Sequence, residues 1–96
     1  MKILAIEKSV PGISETDCAP HLKAEAARVW ELYQSGAIRE TYFRADVRSA
    51  VLMLECPDID AAQNIVRSLP LVQRGLIAFD IMPLIPYPGF SRLFGA

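Results

Sequence analysis

The stretch HLKAEAARVWELYQSGAIRETYFR, residues 21–44, changes its periodicity once, and that change decides the fold. Up to residue 35 the apolar positions Leu22, Ala26, Val29 and Tyr33 recur at spacings of four, three and four, the repeat of one face of an α-helix. Trp30 borders this stripe on one edge and Leu32 lies near the other. Gly36 fits the stop just past the last turn, because glycine accepts the left-handed conformation that commonly ends a helix. Beyond it the pattern turns to period two: Ile38, Glu40, Tyr42 and Arg44 fall on one face, Arg39, Thr41 and Phe43 on the other. Mixed polar and aromatic faces predict a strand over 37–44, at a sheet edge or lining a cavity.

The helix also carries the chain's only histidine and only tryptophan. His21, Glu25 and Arg28 share one flank, at i, i+4 and i+7, with Lys23 and Gln34 opposite. The plain expectation for that flank is a solvated charge network; the functional one is an acid–base cluster beside the buried stripe.

Upstream, Lys2 to Lys8 reads as a strand with Ile3 and Ala5 on one face and Leu4 and Ile6 on the other, so both faces need cover. Pro11 and Gly12 break it. Ser14 followed by Asp17 is a helix-start pattern, which Pro20 interrupts. Either a single turn forms over 14–18 and the main helix begins near Pro20, the favoured solution, or one helix runs through with a kink.

Downstream, residues 45–48 suit a hairpin turn, although the Asn-Gly signature is missing. Residues 49–56 form a strand that is apolar on both sides, through Val51 and Met53 and through Leu52 and Leu54, which marks a central position. Asp58 caps a helix over 59–69 with Ile59, Ala62, Val66 and Leu69 as its buried stripe, and Asp60 suits its N-terminal dipole. Pro70 ends that helix, a loop spans 71–75, and a fourth strand runs over 76–84. Pro83, Pro86, Pro88 and Gly89 then stiffen an arm, 87–96, that carries Tyr87, Phe90 and Phe94 and is set apart from a domain over 1–86.

The resulting order, βαββαβ, is an α+β, ferredoxin-like arrangement: a four-stranded antiparallel sheet with two helices on one face. Its other face keeps apolar residues on the first and third strands. The chain has 96 residues, one domain's length, yet 52% of them are hydrophobic, more than one small core needs. Both observations predict a homodimer in which two sheets pack into an α+β barrel.

Net charge is −1 with no basic block, so nucleic acid is not an expected partner. No apolar run approaches the roughly 20 residues that span a bilayer, so no membrane partner is expected either. The N-terminal run is interrupted by Glu7 and too charged for a leader, which points to the cytoplasm. Cys18 and Cys56 form no CxxC pair and are expected as free thiols, with a disulfide left open; one histidine and two separated cysteines make no metal ligand set.

Three features resemble the muconolactone isomerase-like family of dimeric α+β barrels: the block at 21–44, the block SLPLVQRGLIAFDIMPL at 68–84, and the βαββαβ order over nearly the whole chain. Leu22-Lys23-Ala24-Glu25 and the Leu69-Pro70-Leu71 turn are the more specific parts. The resemblance implies proton transfer on a small lactone without metal or cofactor, with an acid directly after the LKA-acid tetrapeptide as candidate base. This chain has Ala26 at that position.

Three functions follow as expectations. In the first, an enzyme moves a proton on a small lactone or carboxylate-bearing ligand, with Glu25 or His21 as base and Lys23 kept from the family block. Arg39 or Arg44 then grips a carboxylate, Tyr42 donates to an oxyanion, and Trp30 joins them in binding substrate. In the second, the same barrel is a non-catalytic ligand-binding or assembly module, which Ala26 and the aromatic arm favour. In the third, by fold analogy with related monooxygenases, His21 ligates haem.

Overall fold

The computed structural model describes residues 1–95; Ala96, the last residue of the expected arm over 87–96, lies outside the described residues. The elements are β1 (Lys2–Ser9), α1 (Glu15–Cys18), a 3-10 turn (Ala19–His21), α2 (Leu22–Ser35), β2 (Ile38–Phe43), β3 (Ala50–Glu55), α3 (Ile59–Arg67), α4 (Pro70–Gln73), β4 (Ile77–Pro83) and a second 3-10 turn (Gly89–Phe94). The strands form one antiparallel sheet in the order β2-β3-β1-β4. The two strands that read as apolar on both faces, β1 and β3, are the two central ones.

Helix boundaries follow their local chemistry. The Ser14 N–H donates to Asp17 Oδ2 at 2.8 Å, which starts α1. Pro20 sits in the 3-10 turn, so α1 and α2 are separate rather than one kinked helix. Gly36 ends α2 at φ +85°. The Ala61 N–H donates to Asp58 Oδ1 at 2.8 Å, capping α3. Two expectations change here. The second main helix ends at Arg67 instead of 69, and part of the expected loop over 71–75 is the turn α4, which Pro70 starts because a proline N1 lacks only an N–H that would have no helical partner. The tail is likewise not extended throughout, since 89–94 coil into the 3-10 turn.

The core lies between the sheet and the helices. Ile3 and Ala5 of β1 face Leu54 and Leu52 of β3 in register and are almost fully buried, as is Ile38 of β2. Leu32 of α2, Ala62 and Val66 of α3, and Leu69 close over them. Ile59, expected in the buried stripe, is instead exposed at the start of α3. The opposite sheet face, with Leu4, Ile6, Val51 and Met53, stays half-exposed.

β2 departs from simple alternation. Ile38 pairs with Leu54, but Glu40 pairs with Met53, so Arg39 is an extra residue in a β-bulge. Past the bulge Thr41 and Phe43 pair with Leu52 and Ala50. Ile38 therefore shares the helix-facing side with Thr41 and Phe43, not with Tyr42 and Arg44. The Arg39 Nε holds the bulge to the helix end by donating to Gly36 O at 2.8 Å.

Among the described residues no helix is long and apolar enough to cross a membrane. Cys18 and Cys56 are free thiols, Cys56 buried and Cys18 half-exposed.

Candidate functional site

The helix-facing rows of the sheet do not stay sealed along their length. On β1 the row runs Ile3, Ala5, Glu7, Ser9; on β3 it runs Leu54, Leu52, Ala50; on β2, Ile38, Thr41, Phe43. The β1 and β3 rows end in smaller or more polar residues, and the β2 row in an exposed Phe43, at the end of the sheet where β1 finishes and β4 begins. There the N-terminal part of α2 faces the sheet across a cavity of about 890 Å³. Leu22, Glu25, Ala26 and Val29 line it from α2, Ile77 and Phe79 from β4, and Cys18 from the end of α1. Trp30 and Tyr33, stacked with ring centroids 6.0 Å apart, extend the helix wall. The expected apolar stripe of α2 thus faces a cavity: Leu22, Trp30 and Tyr33 are each about half exposed, and only Leu32 is buried.

Three glutamates line this apolar space: Glu15 is exposed at the start of α1, and two half-buried carboxylates enter from opposite walls. Glu25 comes from α2, and its Oε1 accepts the Leu71 N–H at 2.9 Å. The Leu69-Pro70-Leu71 turn thereby fixes the rotamer of the acid in the LKA-acid block. Burial pushes the Glu25 carboxyl above its ordinary range; the Leu71 N–H opposes the rise and the charge of Glu7 adds to it. Glu7 comes from β1. The β1–β3 register ends at Ile6 and Val51, and one residue further on the Glu7 Oε1 accepts the Ala50 N–H at 3.0 Å. Among the described residues neither carboxylate forms an ion pair.

Arg48 is the one cationic residue in the lining, its guanidinium carbon 5.6 Å from the centroid of the Phe43 ring. The Cys18 thiol is held protonated above its ordinary range by burial first, then by the nearby carboxylates of Glu7, Asp17, Glu15 and Glu25. Among the described residues no cluster of three His, Cys, Asp or Glu side chains could hold a metal ion.

Of the residues singled out from sequence, Glu25 and Trp30 line the cavity; His21, Lys23, Arg39, Tyr42 and Arg44 do not. His21 closes the 3-10 turn before α2, and Lys23 is exposed on the helix. Arg39 is engaged by the bulge. The Tyr42 O–H donates to Glu40 Oε1 at 2.8 Å, on the sheet face away from the helices, and the Arg44 Nη2 pairs with Asp46 Oδ2 at 2.6 Å in the turn. The expected network of His21, Glu25 and Arg28 does not form. Arg28 Nε donates to Ser68 Oγ at 3.0 Å and its Nη1 lies 3.7 Å from Glu31, while Glu25 turns to Leu71.

Sequence reasoning passed over Glu7 and Arg48. Glu7 carried a signal, being an acid on the same side as Ile3 and Ala5 of a strand otherwise apolar on both faces. Arg48 carried none, since an arginine in a polar turn looks like any solvated one.

No protein-family model and no curated protein matches the chain. Solved structures do. Muconolactone isomerase superposes with a TM-score of 0.73 and 19% identity, over 93% of this chain and 93% of that one. The 5-chloro-2-hydroxyhydroquinone dehydrochlorinase of Burkholderia phenoliruptrix AC1100, solved in complex with 2,5-dihydroxybenzoquinone, superposes with a TM-score of 0.69 and 20% identity, over 91% of this chain and 96% of that one. At such identities the likeness is one of fold: over nearly its whole length, the chain has the α+β fold of the muconolactone isomerase-like proteins.

Proposed function

We propose that the chain is a small-molecule enzyme that moves a proton on a lactone or carboxylate-bearing substrate held between α2 and the sheet. The observation that carries this reading is Glu25: a carboxylate without an ion-pair partner, fixed by the Leu71 N–H and aimed into a largely apolar cavity. The cavity volume lies within the range of small-ligand sites, roughly 300–1,000 Å³. Proton abstraction next to a carbonyl needs a base within reach of the carbon acid and a carboxyl whose proton affinity has been raised toward neutrality, and the burial of Glu25 works in that direction. Arg48 supplies the charge for a substrate carboxylate or a developing enolate oxygen, the role first expected of Arg39 and Arg44. Both solved neighbours are named as small-molecule enzymes, an isomerase and a dehydrochlorinase, which supports the class of activity.

The experiment is exchange and isomerisation of a β,γ-unsaturated five-membered lactone, α-angelica lactone, followed by NMR in D2O. Glu25→Gln keeps an acceptor for the Leu71 N–H and removes the base. Its rate of α-carbon deuteration is expected to fall about 10²–10⁴-fold. A variant that exchanges at the wild-type rate refutes the reading.

The alternative, a ligand-binding barrel without turnover, draws on one observation. The family's candidate base position is Ala26, itself in the cavity wall. Lactone binding without exchange in the wild type selects it.

The half-exposed sheet face of Leu4, Ile6, Val51 and Met53 supports a homodimer joined sheet to sheet. Sedimentation at micromolar concentration tests this, and a monomer there refutes it.

A further inference from the structure

Glu25 faces a second carboxylate for which general-base catalysis by one residue has no use. Glu7 stands near the end of the central strand β1, half-buried, on the row whose Ile3 and Ala5 are fully buried. An acid at this position is desolvated in part and gains nothing by packing. Among the described residues it has no ion-pair partner, and the neighbouring Lys8 is committed to Asp80 at 3.0 Å. Its Oε1 is fixed by the Ala50 N–H, as the Oε1 of Glu25 is fixed by Leu71. Each carboxylate is therefore held by one oxygen to the backbone of its own wall, and among the described residues the other oxygen has no hydrogen-bond partner. Both line the same cavity, one from the sheet and one from the helix layer.

We propose that Glu7 is a second catalytic residue, which delivers a proton to the substrate from the sheet side while Glu25 removes one from the helix side. This rests on the proton-transfer reading above and adds its geometry: the two transfers occur on opposite faces of the bound molecule. For a β,γ-unsaturated lactone the step balances as follows. Glu25, ionised, takes a proton from the α-carbon, and the C–H electron pair forms the dienolate. Glu7, protonated, gives its proton to the γ-carbon, and the double bond settles between the α- and β-carbons. The substrate has neither gained nor lost a proton. Glu25 is left neutral and Glu7 ionised, and exchange with water through the open end of the cavity resets them.

The test uses the full chain and α-angelica lactone in two labelled forms. In D2O, Glu7→Gln, which keeps an acceptor for the Ala50 N–H, is expected to lose isomerisation at least 100-fold while deuteration of the α-carbon by Glu25 falls far less. Glu25→Gln is expected to lose both. The wild type given α,α-dideuterated lactone in H2O is expected to yield product with protium at the γ-carbon. Glu7→Gln that isomerises within a few-fold of wild type, or first-turnover transfer of deuterium from the α- to the γ-carbon, overturns the role of Glu7 and leaves Glu25 standing. A Glu25→Gln variant that still deuterates the α-carbon overturns the reading beneath it. The label experiment needs no variant, so a Glu7→Gln chain that fails to fold does not shield the proposal.

Discussion

The two ends of the helix–sheet layer are built from the same strands with the same alternation, yet one end is closed and the other open. At the closed end Ile3, Ala5, Leu52, Leu54 and Ile38 lie under Leu32, Ala62, Val66 and Leu69, all of them nearly inaccessible to solvent. At the open end the same rows continue into Glu7, Ser9, Ala50, Thr41 and Phe43, and α2 presents Leu22, Glu25 and Ala26 across a gap. The closed end sets the stability of the layer, and the open end is free to hold a ligand because its apolar residues are not needed for packing. Periodicity fixes which side of an element a residue takes. Whether that side is packed or hollow depends on the size of the residues that meet there.

The largest difference between the two ends should be in stability. Leu54→Ala removes a side chain that is 0% exposed and is expected to cost about 2–5 kcal/mol, lowering the melting temperature by roughly 10 °C or more. Leu22→Ala removes the same atoms from a side chain that is 53% exposed at the cavity wall, and is expected to cost less than about 1 kcal/mol. Thermal unfolding of the two variants beside the wild type checks the pair. Equal costs would mean that the open end closes in solution, and the cavity would lose its standing as a site.

A smaller effect probes how the open end is aimed. Gly36 ends α2 at φ +85° and leads into the bulge that brings Thr41 and Phe43 to the cavity side. A Cβ there meets nothing closer than Arg39 Nε at 3.7 Å, so the penalty of Gly36→Ala is conformational, about 1–2 kcal/mol, with no steric part. Chemical denaturation measures it. A neutral substitution would show that the helix end can take another course without loss.

Most of the fold is legible in the sequence, because it rests on strong local patterns. The double-faced apolar strands became the central ones, Gly36 and Asp58 ended and began helices, and Pro20 separated α1 from α2. The bulge at Arg39 was not legible, since one extra residue leaves no mark in composition and shifts every partner beyond it. That shift is why Tyr42 and Arg44 looked like ligand-binding residues and turned out to face away from the helices. The site was legible only in part. Glu25 stood out within its block, but its partner, the Leu71 N–H, is 46 positions away in sequence. Glu7 could have been found as a charge out of place on a buried row. Arg48 becomes distinctive only once the turn that carries it is seen at the mouth of the cavity.

The smallest effect is a pH dependence that separates the two ends by charge. Burial pushes the Glu25 carboxyl above its ordinary range, so the folded chain binds that proton more tightly than the unfolded chain does. The stability this gives is fully present below the unfolded-state value of about 4.3 and is lost as the pH rises through the raised folded-state value. Glu25→Gln has no such charge to desolvate and still offers an oxygen to the Leu71 N–H. Its melting temperature should match that of the wild type in acid and exceed it progressively on going to neutral pH. Leu54→Ala removes no titrating group, so its deficit should change little over the same range. A Glu25→Gln advantage that shrinks as the pH rises would reverse the sign of the shift. The carboxylate would then be held ionised by its surroundings, and Glu25 would be an anion-fixing residue in place of a base.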